Sequence, residues 1–467
     1  MNDHTAWASE AETKAAIAEL EAALGEKLSL SIPIRDQHGH DMSRQTPRRP
    51  DAVVFAEVED DVVRAVEICH RHGVPVIAFG AGSSMEGHTI PVKGGVSIDL
   101  TRMNRIVAVN DADFDAVVEA GVTRNQLNEH LRDLGLMFTV DPGADASLGG
   151  MASTRASGTT AVRYGTMREN VIALRVVTAT GKVVTTGRRV KKSSTGYDLT
   201  KLFVGAEGTL GVITEVTVRL YPIPETIASA VCAFDTMKGA VETVVDTARI
   251  GLPIARIEFL DEVAVDAANA HAGLGLERKP TLFLEFHGSE RWVEEQSQTV
   301  AELAREHGGA DFQWSTLPED RARLWKARHE TIYSNQSLRP GCKTYTTDVC
   351  VPISRLAEAV LAARADLDQS FVIGKIIGHV GDGNFHVGYL IKPEIAEELA
   401  EAERLAERLY QRTMDMGGTF SGEHGIGISK LKYLRREHGD AVELMTALKA
   451  ALDPKGIMNP GKLGQAG

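Results

Sequence analysis

The sequence predicts an α+β protein built from several domains. Its 467 residues are more than one ordinary hydrophobic core accommodates. Up to about residue 224, β-branched runs alternate with short helical patterns, whereas the strands and helices that follow are longer. The second pattern is typical of an antiparallel sheet with helices on one face. We therefore expect four segments, with bounds 1–45, 46–224, 225–415 and 416–467.

Helix caps and glycines mark the elements of the segment 46–224. A helix with apolar residues spaced along one face begins at Asp60 and is closed by Gly73. A second helix opens at Thr123, whose spacing to Gln126 is that of a capping box, and extends to Leu134, where Gly135 stops it. The remaining runs rich in β-branched residues predict strands at 74–79, 171–179, 182–186 and 212–220.

Longer elements follow a linker at residues 221–224. The predicted strands are 228–234, 254–260 and 281–287, and the predicted helices are 236–250, 290–307 and 393–416. Two further strands, 372–379 and 385–391, are expected to form a hairpin, because the dipeptide Asp382-Gly383 is typical of a hairpin turn.

Composition excludes several classes of protein. A hydrophobic content of 43% and a charged content of 25% are those of a soluble globular protein. The net charge of −13 argues against a nucleic-acid partner, which requires clustered Lys and Arg. No apolar run is long enough to span a bilayer, and the first residues lack the pattern of a secretory signal. We therefore expect a cytoplasmic protein, peripheral to the inner membrane at most.

A candidate metal site lies toward the C-terminal end of the chain. His379 and His386 flank the predicted hairpin turn, and Glu423 follows in the sequence Gly-Glu-His-Gly. These are ligand types for a divalent cation, and three protein ligands leave coordination positions open for a substrate. His424, next to Glu423, is then a candidate base. Two histidines at such a spacing are more often structural, but the flanking glycines favour a metal site.

Three glycine-rich segments indicate where backbone could approach a large ligand. The first, 80–84, follows a strand but is not a dinucleotide fingerprint, because its third glycine is displaced to Gly87 and Pro91 prevents the required helix. Its N–H groups and hydroxyls can form an anion-binding nest. The second segment, 141–158, and the third, 207–214, offer little side chain to fill a core. The alternative is that these segments are ordinary turns.

Six ordered motifs resemble a known flavoprotein family, and the resemblance covers roughly residues 45–467. The motifs are Phe79–Ser84, Asp141–Gly143 with Gly149-Gly150, Glu207–Thr214, Gly378–His386, Gly422–Gly425 and Asn459–Lys462. They resemble the family of vanillyl-alcohol oxidase and p-cresol methylhydroxylase (PCMH). The most similar branch contains D-lactate dehydrogenase, glycolate oxidase and D-2-hydroxyglutarate dehydrogenase.

The resemblance implies an FAD-binding domain of the PCMH type with two subdomains at 46–224. It also implies a ferredoxin-like α+β cap at 225–415 that carries the substrate site, and a return of residues 416–467 to the flavin domain. Some family members attach FAD through a histidine in the first loop, where this chain has Ser83, so non-covalent FAD is expected. The implied cofactor-binding residues are Gly80, Ala81, Gly82, Ser83, Ser84, Pro142, Gly143, Ala144, Ser147, Gly149, Gly150, Ala152, Ser153, Ser157, Gly158, Gly208, Val212, Ile213 and Asn459.

The same resemblance implies Zn²⁺ or Mn²⁺ on His379, His386 and Glu423, with His424 as the base. Arg328 matches the family's substrate arginine, whose planar guanidinium suits a carboxylate. The alternative for Arg328 is a helix-surface arginine.

Two departures affect the expected substrate. The hydroxyglutarate enzymes have a lysine in the segment where this chain reads Thr346-Thr347-Asp348, and an asparagine where it has Gly388. Without these polar groups a second substrate carboxylate is not expected, which favours a monocarboxylate such as D-lactate.

The implied reaction is oxidation of a D-2-hydroxy acid to the 2-oxo acid by hydride transfer to flavin N5. Electrons then pass to an unidentified acceptor (a quinone, a cytochrome or an electron-transfer flavoprotein). A homodimer is the candidate oligomeric state. The alternatives are D-2-hydroxyglutarate dehydrogenase or glycolate oxidase-like activity, an oxidase that makes peroxide, a non-catalytic flavoprotein and, more remotely, a zinc hydrolase.

Overall fold

The computed structural model describes residues 8–329 and 335–464. The chain divides into two compact units. The first unit comprises residues 1–157, 165–222 and 423–467, and the second comprises 158–164 and 223–422.

The strands lie in chain order as follows: β1 Leu28–Ser29, β2 Ala52–Phe55, β3 Val76–Phe79, β4 Val96–Asp99, β5 Ile106–Asn110, β6 Asp115–Glu119, β7 Leu136–Met137, β8 Val171–Thr178, β9 Val183–Thr185, β10 Gly211–Arg219, β11 Tyr221–Pro222, β12 Thr226–Phe234, β13 Arg256–Leu260, β14 Thr281–Gly288, β15 Gly309–Ser315, β16 Lys343–Thr346, β17 Val349–Cys350, β18 Ile373–Gly378 and β19 Asn384–Ile391.

The helices are α1 Glu10–Leu24, α2 Ile32–Gln37, α3 Glu59–His72, α4 Arg124–Leu131, α5 Leu148–Thr154, α6 Ala161–Tyr164, α7 Met167–Asn170, α8 Leu199–Phe203, α9 Met237–Arg249, α10 Glu262–Ala272, α11 Glu290–Glu306, α12 Pro318–His329, α13 Asn335–Leu338, α14 Leu356–Asp368, α15 Ala396–Asp415, α16 Leu434–His438 and α17 Ala441–Leu452. Within the described residues, no helix combines the length and apolarity needed to cross a membrane.

The first unit contains two main sheets, each with its own core. Strands β2, β4 and β3 run parallel, and β1 joins β2 antiparallel. The second sheet is antiparallel in the order β5-β6-β10-β8-β9. Helix α3 packs on the first sheet through the predicted apolar face, with Val62, Val66 and Cys69 fully buried. It ends at Gly73, whose φ of +69° suits glycine.

Helix α4 begins as predicted, since the Thr123 side chain accepts a hydrogen bond from the Gln126 N–H at 3.2 Å. It ends at Leu131 rather than Leu134, because residues 132–134 tighten into a 3₁₀ turn before Gly135. The glycine at the end was predicted correctly, and only the type of the last turn differs.

The second unit contains one large antiparallel sheet in the order β15-β12-β14-β13-β18-β19-β16. Its predicted strands and helices are present, which confirms the α+β class. Several elements were not predicted, among them helices α10 and α14 and strands β15 and β16. The hairpin β18–β19 forms, but a 3₁₀ turn over Val380–Asp382 joins its strands, with Gly383 at φ +78°. The predicted tight Asp-Gly turn is therefore wrong in type, although Gly383 supplies the positive φ.

Candidate functional site

The first glycine-rich loop, 80–84, leaves β3 where β3 and β4 end side by side. Gly82 has a φ of +65°, and a Cβ there would lie 2.9 Å from Cζ of Phe79. The Ser84 carbonyl accepts a hydrogen bond from the Met42 N–H at 2.9 Å. The loop is therefore held at one end and requires glycine at its bend.

The second glycine-rich segment meets this loop within the first unit. A Cβ on Gly80 would lie 2.4 Å from Oγ of Ser147, the residue that precedes α5. The N–H of Glu207, which opens the third segment, donates to the Ser153 carbonyl at 2.8 Å. The structure thus brings together all three segments that were predicted to hold the cofactor. Gly149, Gly150, Ala152 and Ser153 lie on α5, whereas Gly158 belongs to the second unit.

Two glycines of this segment serve different purposes. Gly149 packs against the residue that follows β6, where an added Cβ would lie 2.6 Å from the Ala120 Cβ and 2.9 Å from the Ala120 carbonyl oxygen. Gly143 is exposed, and no atom lies within 4 Å of the position its Cβ would take. Gly149 is required by packing, whereas the space at Gly143 fits the close approach of a large flat ligand.

We expect Gly149→Ala to lower the free energy of unfolding by about 1–3 kcal/mol, because the new methyl group overpacks a buried contact. Gly143→Ala is expected to leave unfolding unchanged and to weaken FAD binding. Urea unfolding and flavin titration of both variants provide the measurement. Equal FAD affinity in Gly143→Ala and the unaltered protein would contradict the cofactor contact predicted there.

The third segment turns at Glu207, which is buried and has a φ of +54°. Its carboxylate accepts hydrogen bonds from the N–H groups of Ile426 at 2.7 Å and Gly427 at 2.9 Å, and it lies 3.2 Å from Nε2 of His88. Burial opposes the charged form of both side chains, but their mutual attraction outweighs it. The pKa of Glu207 is therefore lowered and the pKa of His88 is raised.

The C-terminal segment closes this network. The Asn459 side chain donates hydrogen bonds to the carbonyls of Glu207 at 2.7 Å and His88 at 3.1 Å. Buried Lys462 donates to the Asn459 side chain at 2.6 Å and to the Ile90 carbonyl at 2.7 Å, and burial lowers the pKa of Lys462 to about 7. Asn459 thus clamps the chain, and its predicted contact with the cofactor stays a prediction.

His424 lies beside a buried carboxylate. Its Nδ1 is 3.6 Å from Oε1 of Glu86, and Nζ of Lys430 is 3.1 Å from the same oxygen. Burial alone would raise the pKa of Glu86, but the charge of Lys430 and the interaction with His424 lower it overall. An ionised Glu86 favours the tautomer of His424 with the proton on Nδ1, which leaves the Nε2 lone pair to act as a base.

The hairpin of the second unit brings the two predicted metal-binding histidines together. The ring centroids of His379 and His386 are 5.5 Å apart, with the planes at 85°. The Nδ1 of His379 is 2.7 Å from Oε1 of Glu258, and the Nδ1 of His386 is 3.2 Å from the Thr347 carbonyl. Both Nδ1 atoms therefore carry the proton, and in each neutral ring Nε2 is the nitrogen suited to a metal.

The third predicted ligand, Glu423, opens the last segment of the first unit and directly follows Gly422, the last residue of the second. A Cβ on Gly422 would lie 3.1 Å from Oδ1 of Asp348, and that oxygen is 3.6 Å from Nδ1 of His386. The chain thus leaves the second unit beside one of the two histidines.

Arg328 is buried on α12 rather than exposed on its surface. Its Nη2 donates a hydrogen bond to Oε2 of Glu258, the carboxylate that also meets His379. The predicted substrate arginine and a predicted metal ligand therefore share one carboxylate inside the second unit.

The sequence argument about a second substrate carboxylate missed Lys375. In the sheet, Gly388 pairs with Thr346 on one side and with Lys375 on the other, and a Cβ on Gly388 would lie 3.7 Å from Cγ of Lys375. Lys375 is buried, which lowers its pKa to about 8. The side chain of a buried lysine thus packs beside Gly388, the position where the hydroxyglutarate enzymes have an asparagine.

Sequence reasoning also missed the buried carboxylates Glu86, Glu207 and Glu258. Glu207 carried a weak signal, because it is a charged residue inside a glycine-rich turn that was expected to lie at the ligand. The sequence carried no signal for Glu258, because an acidic residue in an apolar strand is equally compatible with a solvent-facing position.

Comparison with known proteins identifies two matched segments. Residues 50–187 match an FAD binding domain, and residues 223–463 match the C-terminal domain of FAD linked oxidases.

Among curated relatives, the probable mitochondrial D-lactate dehydrogenase of Danio rerio is 51% identical, over 94% of this chain and 89% of the relative. The mitochondrial D-lactate dehydrogenase [cytochrome] of Arabidopsis thaliana is 44% identical, over 96% of this chain and 80% of the relative. Among solved structures, p-cresol methylhydroxylase superposes with a TM-score of 0.80 at 20% identity, over 97% of both chains, which confirms the predicted fold.

The same comparison corrects the expected location. The expectation of a cytoplasmic protein is wrong, because these relatives are named mitochondrial and point to that compartment instead. The sequence argument rested on composition and on the lack of a secretory pattern, neither of which separates the two compartments.

Proposed function

The chain belongs to the family of FAD-linked oxidases, and from that premise we propose that it oxidises a D-2-hydroxy acid, above all D-lactate, to the 2-oxo acid. The substrate is supported by the names of the relatives at 51% and 44% identity. The observation that carries the proposal is the group formed by Glu258 with His379 and Arg328, because it joins a guanidinium that could bind a carboxylate to an imidazole that could bind a metal.

The FAD is proposed to be non-covalent. Ser83 lacks a nucleophilic ring nitrogen, and His88 is buried against Glu207 rather than presented to a ligand. The contact between Gly80 and Ser147, together with the open space at Gly143, supports a cofactor held by backbone along these segments.

The donor set fits a divalent cation such as Zn²⁺ or Mn²⁺. His379 and His386 offer Nε2 in the required tautomer, because each Nδ1 meets an oxygen. Glu423 is proposed as the third ligand. Its Cα can be only about 3.8 Å from that of Gly422, which the second unit holds beside Asp348.

The residues of the chain then take separate roles. When bound, FAD supplies the hydride acceptor and the cation supplies a Lewis acid. Arg328 orients the substrate by pairing with its carboxylate. His424 accepts the hydroxyl proton, and Glu86 holds its ring in the basic tautomer. A cytochrome is the proposed electron acceptor, since one relative carries that word in its name.

Anaerobic mixing of the purified holoenzyme with 2-hydroxy acids tests the proposal. D-lactate is expected to bleach the flavin absorbance, and L-lactate is expected not to. D-2-hydroxyglutarate in the same panel measures whether Lys375 admits a second carboxylate, and glycolate tests the smaller substrate. If no 2-hydroxy acid reduces the flavin, the proposal is contradicted and the alternative of a non-catalytic flavoprotein is favoured. Peroxide formed in air at the rate of turnover would indicate an oxidase.

A further inference from the structure

Glu258 lies in β13 at the centre of the second unit's sheet, and its side chain is 0% exposed. Oε1 faces Nδ1 of His379 at 2.7 Å, and Oε2 accepts from Nη2 of Arg328. Both partners are donors, so only a group with two acceptor oxygens satisfies them together.

We propose that Glu258 is a positioning residue that serves both halves of substrate recognition. Through one oxygen it fixes His379 in the tautomer that binds a metal, and through the other it aims Arg328 at the substrate carboxylate. The inference rests on the proposed function, because it assigns Glu258 to the same site.

The chemistry of the amide group makes Glu258→Gln a sharp test. Glutamine has the same length, but it offers one acceptor and one donor where the site requires two acceptors. If the amide oxygen faces His379, its NH₂ opposes the guanidinium of Arg328. If the amide turns over, its NH₂ faces Nδ1 of His379 and favours the other tautomer, whose Nε2 carries a proton and cannot bind a metal. One of the two partners is misplaced in either orientation.

The same sheet contains a matched control. Glu285 on β14 is also buried, with Oε1 2.8 Å from Nε2 of His287 and Oε2 3.5 Å from Nη1 of Arg256. It is a second carboxylate shared between a histidine and an arginine, but neither partner belongs to the proposed site. Glu285→Gln therefore reproduces the loss of a buried charge without the loss of positioning.

The measurement uses the FAD holoenzyme and Zn²⁺ alone. Competition with a chelator gives the Zn²⁺ dissociation constant, which is expected to rise about 10–100-fold in Glu258→Gln, the usual effect of losing an outer-shell partner of a metal ligand. At saturating Zn²⁺, KM for D-lactate is expected to rise more than kcat falls, because Arg328 is no longer oriented toward the substrate carboxylate. Glu258→Asp, which keeps two acceptors, is expected to recover part of the Zn²⁺ affinity.

Three outcomes separate the possibilities. If Zn²⁺ affinity and KM are unchanged in Glu258→Gln, the role of Glu258 is contradicted. The same holds if both quantities change equally in Glu285→Gln. Neither result would contradict the proposed function itself. An unaltered holoenzyme that does not bind Zn²⁺ or Mn²⁺ would overturn the proposed metal as well. The assignment is supported if the Zn²⁺ dissociation constant and KM rise only in Glu258→Gln, while its FAD content equals that of Glu285→Gln.

Discussion

His424→Ala is expected to keep its FAD and to lose most of its rate of flavin reduction. Removal of a general base costs about 10²–10⁴-fold, so anaerobic reduction by D-lactate should slow by that factor. FAD should stay bound, because the first two glycine-rich segments meet at Gly80 and Ser147, independently of His424. Stopped-flow absorbance of the flavin measures the rate.

His438→Ala is the matched control, because His438 lies in the same returning segment and is partly exposed. Equal reduction rates in the two variants would remove His424 from the mechanism. A third variant, Glu86→Gln, is informative because it retains the ring but removes the carboxylate that orients it. Its rate should fall between those of His424→Ala and the unaltered enzyme.

His386→Ala is expected to lose the divalent cation and, with it, nearly all activity. The ring is buried and its Nδ1 is turned toward the Thr347 carbonyl, so Nε2 is the nitrogen that remains to bind a cation. Losing one of three protein ligands should leave little metal after dialysis, and the turnover rate should fall at least about 10³-fold, as for a step that depends on a Lewis acid. Elemental analysis and steady-state kinetics provide the two measurements.

His307→Ala serves as its control, because His307 is a histidine of the same unit that pairs with Asp246 at 2.9 Å and is not among the proposed metal ligands. Full activity in a preparation of the unaltered enzyme stripped of metal would contradict the role of the cation. Retained metal in His386→Ala would instead reassign the ligand.

The sequence predicted those features whose signals are local. Helix α3 follows from its apolar spacing and its glycine stop, and the hairpin that carries His379 and His386 follows from a glycine turn. Helix α10 was missed although Asp261, its N-cap, accepts from the Ala264 N–H at 2.8 Å. The alanine-rich sequence of α10 shows no clear apolar stripe. The signal for strand β15 was equally weak, because polar residues and a glycine occupy its first positions.

The contacts that organise the site could not be predicted, because they join residues far apart in the chain. Glu258 meets His379 across 121 positions, and Asn459 meets Glu207 across 252. The motifs indicated that these regions are important, but not that single buried carboxylates bind them together. Burial of a charged residue is decided by its partners, and no local pattern reveals them.

The return of residues 423–467 to the first unit constrains how the protein is made. The backbone at Ile457 and Asn459 hydrogen-bonds to Val76, the first residue of β3, and buried Lys462 donates to the carbonyl of Ile90, beyond the first glycine-rich loop. A ribosome must therefore finish nearly the whole polypeptide before the earliest-made sheet gains its last hydrogen bonds. Amino-terminal fragments ending near residue 222 should consequently be poor expression products that rely on chaperones.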